Sequence, residues 1–186
     1  FPRPVQRPGP PGKNGVFFEE VKVPRETLGG RLTDGWTVAN ATLFHERNML
    51  SSTTRTQMLF DGLVRRARKT RRNGKPASDD PVVRQRLADL AIQVETRRLE
   101  AYRQLTETLR GHPAGIAASV NKLTTCEQNH QIGRAALEIL GPNGWLHKSD
   151  PEVADGGLWP LDFMFALGLI IGGGTAEEQK NNIAER

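Results

Sequence analysis

The stretch Gly172-Gly173-Gly174-Thr175-Ala176-Glu177-Glu178-Gln179-Lys180-Asn181-Asn182-Ile183-Ala184-Glu185-Arg186 decides how this chain is read. Three glycines supply backbone conformations with φ > 0 and let a second molecule approach the main chain. Thr175 is placed to cap a helix whose first N–H groups can face an anion. On the turn alone two readings stay open: the seat of a nucleotide cofactor, or a helix C-cap and loop ahead of a surface helix.

Working back from that turn, Leu158 to Ile171 is apolar almost all round, which predicts a buried helix or an interface element. A helix from about Ala114 to Leu140 ends at the Gly141-Pro142 turn and faces Ile116, Val120, Leu123, Ile132, Ala136, Leu137 and Leu140 inward. Before it, Pro81 opens a helix capped by Asp79 or Asp80, with Val83, Leu87, Leu90, Ala91, Val94, Leu99, Tyr102, Leu105 and Leu109 as its buried stripe. The first helix runs from about Trp36 to Lys69, capped by Asp34 or Thr33, and stops near Asn73-Gly74-Lys75-Pro76. Val16 to Val23 is rich in β-branched and aromatic residues and reads as a strand. Phe1 to Lys13 reads as a disordered linker or an inter-strand loop. The sum is a mainly α protein: an up-and-down bundle of the four-helix type over residues 31–186, preceded by a short β remnant over 1–30.

The composition agrees, since 37% hydrophobic residues with few aromatics suit one helical domain in a chain of 186 residues. No apolar run of bilayer length and no signal peptide is visible, which predicts a soluble protein with no membrane partner. The single cysteine, Cys126, cannot form an internal disulfide, and the histidines lack metal-ligand spacing, so no metal is expected and a reducing cytoplasm fits. Part of the net charge of +5 is concentrated in Arg65, Arg66, Arg68, Lys69, Arg71, Arg72 and Lys75. That run suits either nucleic-acid phosphates or a solvated helix end opposing the helix dipole. The lack of interleaved aromatics favours the second, with no nucleic-acid partner.

On the first helix, Ala39, Leu43, Glu46 and Leu50 share a face, so Glu46 interrupts an apolar stripe. A desolvated carboxylate has a raised pKa and suits proton abstraction from a weak carbon acid. The alternative is an ion pair of Glu46 with Arg47 or another arginine. His45 precedes Glu46 but turns about 100° away along the helix and has no nucleophile to serve.

Several motifs together resemble the acyl-CoA dehydrogenase family. The terminal glycine turn and helix resemble the family's closing signature. Asn14 to Gly30, with Val23-Pro24-Arg25-Glu26, then Gly35-Trp36 and His45-Glu46-Arg47, is similar to its crossing from the β-domain into the C-terminal helical domain. Gly141-Pro142-Asn143-Gly144-Trp145 is similar to its Gly-Gly-x-Gly-aromatic turn. The resemblance implies the C-terminal part of a longer FAD enzyme that dehydrogenates acyl-CoA thioesters to trans-2-enoyl-CoA and passes electrons to an electron-transfer flavoprotein. It also implies a homo- or hetero-oligomer built as a dimer of dimers.

Most members of that family carry the catalytic glutamate directly before the Gly-Thr matched by Gly174-Thr175, where this chain has Gly173. A branch carries it on the first C-terminal helix before an arginine, so the resemblance implies Glu46 as base and Arg47 as its orienting partner. Gly174, Thr175 and Glu177 match positions near the adenosine part of FAD, and Gly141 and Gly144 match a turn that touches a neighbouring subunit's FAD. Thr70 and Asn73 stand for the Arg and Phe of the family's Arg-x-x-Phe-Gly segment, and Asp80-Pro81 for the Phe-Gln after it, whose arginine and glutamine commonly reach the partner's FAD; Arg71 or Arg72 could substitute, and Pro142 and Glu138 depart as well. Those departures leave a competing reading, a non-catalytic structural subunit of a mixed oligomer; the basic run Arg65 to Lys75 leaves a second, a basic helical nucleic-acid module.

Overall fold

The computed structural model describes residues 17–50, 52–112 and 116–185. The chain divides into two compact units, Phe1–His45 and Glu46–Arg186. In the first unit a 3-10 turn at Arg25–Thr27 and a turn around Arg31–Asp34 lead into α1, Gly35–Leu50, a helix that continues past the unit boundary. Phe17 to Val23 forms no strand, and Val16 lies outside the described residues along with Phe1 to Lys13. A strand exists only where a second backbone pairs with it, and no described segment does so.

The second unit is helical. α2 spans Thr53–Lys69, α3 Pro81–Leu109, α4 Ala117–Leu140, α5 Leu158–Ile171 and α6 Ala176–Ala184. The long first helix expected from Trp36 to Lys69 is therefore two helices. Ser52 begins the second, its side chain accepting from Arg55 N at 3.5 Å. The Ser51-Ser52-Thr53-Thr54 run explains the break, because short hydroxyl side chains compete for backbone groups and favour caps over helix interiors.

Between α2 and α3 a hairpin pairs β1, Arg71–Arg72, with β2, Lys75–Pro76. Asn73 (φ 50°) and Gly74 (φ 77°) form its tip, both in the left-handed region that two-residue hairpins demand. Asp80 then caps α3 as expected, its Oδ1 accepting from Val82 N at 2.8 Å, with Pro81 at the start.

α4 is the hub, packed against α2, α3, α5 and α6. Successive helices α2 and α3, α3 and α4, and α4 and α5 pack against one another, as expected of a helical bundle. Its core joins Leu59, Leu63 and Ala67 of α2, Val83, Leu90 and Val94 of α3, Ile132, Ala136 and Leu137 of α4, and Trp159. At Gly133 the contact with α5 is closest: a Cβ there would sit 3.0 Å from Phe163 Cα.

Two expectations about burial need correction. Only the first half of α3 is covered, because Leu99, Tyr102, Leu105 and Leu109 are exposed. α5 buries one face (Trp159, Asp162, Ala166) and exposes Leu161, Phe165 and Ile171. The apolar window Ala154–Ile171 also has the length and hydropathy of a membrane span, contrary to the reading of the sequence. That length includes Asp155 and Gly156, which have left-handed backbone and are not helical. The 14 residues of α5 rise only about 21 Å, short of the hydrocarbon core, and the helix carries a charged Arg55–Asp162 contact.

Candidate functional site

The glycine turn joins α5 to α6. Gly173 (φ 68°) and Gly174 (φ 95°) take the left-handed conformations expected of them. Thr175 caps α6, its hydroxyl accepting from Glu178 N at 3.3 Å. Two buried side chains that the sequence reading missed hold the carbonyls of the turn. Gln179, fully buried on α6, donates from Nε2 to Gly173 O at 3.0 Å. A Cβ at Gly174 would lie 2.4 Å from that same nitrogen, and the left-handed φ of 95° is what favours glycine there. Lys122, 1% exposed on α4, donates from Nζ to Ile170 O at 2.8 Å and also to Gly174 O.

The start of α6 is not an open anion site. The Glu177 carboxylate accepts from its own backbone N–H and from the Thr175 hydroxyl, which hold its pKa below the usual glutamate range. A carboxylate already satisfies these donors, so the exposed chemistry is that of an acceptor for hydroxyl or amine groups.

Gly141, Gly144 and Arg72 assemble at the other end of α4. Arg72 Nη2 donates to Glu138 O, and Gly141 (φ 63°) ends the helix. Gly144 is buried against Leu137 and Leu140, so its small size serves packing, whereas nothing lies within 4 Å of a Cβ at Gly141. Lys122 and Glu138 are 16 residues apart on one helix, about 24 Å. The two groups of candidate cofactor residues therefore cannot line one compact pocket in a single chain.

Glu46 lies on α1 and is exposed, so the desolvation expected of it is not provided by this chain's own packing. The side chains of Arg47 and His45 lie outside the described residues. Within the basic run, Arg66 is engaged by Asp155 and Arg72 by Glu138 O, so part of the run makes structural contacts. No group of metal-ligating side chains occurs among the described residues. Cys126 is buried, and burial pushes its thiol pKa up, which leaves it unreactive.

Lys122 and Asp162 carried a signal that went unread. Each is a lone charge in a stretch of otherwise uncharged residues that must be buried to fold. The glycine turn was legible, but the cation beneath it was not, because nothing in the order of residues shows which carbonyls a lysine on another helix will meet.

Comparison with known proteins places this geometry. The sequence model of the acyl-CoA dehydrogenase C-terminal domain matches residues 33–186, and the chain belongs to that family. Acyl-CoA dehydrogenase IpdE1 of Mycobacterium tuberculosis is 31% identical over 186 residues, covering 98% of this chain and 45% of the relative. The chain thus spans less than half the length of the curated relatives it matches first. Among solved structures, butyryl-CoA dehydrogenase from Megasphaera elsdenii superposes with a TM-score of 0.76 at 23% identity, over 90% of this chain and 42% of that one. PigA with FAD and proline does so with a TM-score of 0.77 at 20% identity, over 90% and 42%. Both share the fold.

Proposed function

We propose that this chain is the C-terminal part of an FAD-dependent acyl-CoA dehydrogenase that removes hydrogen across the α,β bond of an acyl-CoA thioester, with Glu46 as the base. What supports the reading is the family match over residues 33–186, which contains Glu46-Arg47 on α1, together with the resemblance of Gly173-Gly174-Thr175 to the closing signature with glycine in place of its glutamate. Glu46 takes the α-proton onto a carboxylate oxygen, and Arg47 orients that carboxylate or the substrate. The flavin, when bound, supplies the hydride acceptor.

The residues present fit such a cofactor by its hydroxyl-bearing end. Thr175 and Glu177 offer acceptors for a ribose, beside a turn whose left-handed backbone favours Gly174. Gly141, with open space above its backbone, and Arg72 are assigned to a second cofactor held by a neighbouring subunit. The distance between the two ends of α4 supports that division. An oligomer, homomeric or heteromeric and arranged as a dimer of dimers, would cover the exposed apolar residues of α3 and α5. An electron-transfer flavoprotein is the proposed electron acceptor.

The exposure of Glu46 favours a second reading, in which the chain belongs to a non-catalytic subunit. The full-length protein separates the two. Anaerobic addition of a series of acyl-CoA thioesters should bleach its flavin absorbance. A flavin that none of them bleaches would exclude the catalytic reading.

A further inference from the structure

We propose that Lys122 is the positioning residue of the glycine turn, and that its buried ammonium sets the affinity for the nucleotide end of the cofactor; this rests on the reading of the turn as an FAD contact. Lys122 is the only buried lysine or arginine among the described residues, and no carboxylate there pairs with it. Burying an ammonium costs several kcal/mol unless its donors are satisfied. A residue needed only to fill space at this point of α4 would be apolar.

The two carbonyls it meets explain the choice. Ile170 O belongs to the last turn of α5, where helix geometry leaves acceptors without partners and the dipole is negative. Gly174 O belongs to the residue directly before Thr175, the cap of α6. One cation therefore ties the end of α5 to the start of α6 across the three glycines, which by themselves hold no fixed conformation. Gln179 of α6 holds Gly173 O in turn. Together they fix the orientation in which Thr175 and Glu177 present their acceptors, and charge-assisted bonds to carbonyls are the stronger element of the pair.

The test uses the full-length protein. Lys122→Met keeps the length of the side chain and removes its donors. The FAD dissociation constant is measured by titration, and ADP is used as a competitor that lacks the flavin ring. The proposal expects FAD affinity to fall about tenfold or more, the equivalent of losing one charge-assisted contact, and ADP affinity to fall by a similar factor. FAD affinity within about twofold of wild type, whatever happens to the unfolding midpoint, would make Lys122 purely structural and overturn the proposal. If Lys122→Met does not fold, Lys122→Gln, which keeps a neutral donor and removes the charge, is titrated in the same way. Weakened FAD and ADP binding then supports the positioning role, and unchanged binding refutes it. A wild-type protein that takes up no FAD refutes the functional reading itself as well.

Discussion

Arg66 on α2 holds Asp155 with two nitrogens, Nε donating to Oδ2 at 2.8 Å and Nη2 to Oδ1, and the same Oδ2 accepts from Trp159 Nε1 at 2.6 Å. The pair fixes the left-handed bend at Asp155 that delivers Trp159 into the core, against Gly62 of α2. The Arg66 guanidinium first, and the indole N–H with it, hold the Asp155 carboxyl below the usual aspartate range.

A depressed folded-state pKa gives stability that is complete above the unfolded value, about 3.9, and is lost as pH falls through the folded one. Asp155→Asn should cost about 1 kcal/mol at pH 7, a modest figure because the pair is partly solvated. The deficit against wild type should shrink below about pH 4, as the wild-type carboxylate protonates. Urea unfolding followed by circular dichroism at pH 7 and pH 3.5 measures both.

Asp162 presents the opposite case. It is 3% exposed, burial pushes its pKa up against the pull of Arg55, and one carboxylate oxygen has no partner. Arg55→Met should destabilise by about 2 kcal/mol at pH 7, discounted because Arg55 is half exposed. The carboxylate left behind can protonate, so the loss should diminish as the pH is lowered. Replacing both residues, with Asp162→Leu added, should recover most of the loss, which a double-mutant cycle in urea reads directly.

The α4–α5 contact gives a test of sign. Gly133→Ala places a methyl 3.0 Å from the Phe163 backbone and should destabilise by about 1–2 kcal/mol despite the better helix propensity. Gly168→Ala on α5 meets nothing within 4 Å and should instead stabilise by up to about 1 kcal/mol. Unfolding midpoints of the two variants should move in opposite directions.

Local chemistry made much of this architecture legible. Asp80 before Pro81, Thr175 after the glycines and the breakers at Asn73-Gly74 and Gly141-Pro142 all mark element ends through interactions within a few residues. What escaped depends on distant partners. Periodicity showed that Leu99, Tyr102 and Leu105 share an apolar face, but not that the bundle ends before covering it. Phe17 to Val23 has strand composition, but no segment among the described residues pairs with it. The site follows the same division, since Gly174 and Thr175 stand out in the sequence while Lys122 and Gln179 become visible only where α4 and α6 meet the turn.

The central claim concerns the carboxylate of Glu46, and Glu46→Gln in the full-length protein tests it most directly. The substitution keeps shape and removes the base, so acyl-CoA-dependent dye reduction should fall by at least about a hundredfold, with FAD content unchanged. Activity equal to wild type would contradict the account, because proton abstraction would then belong to another group.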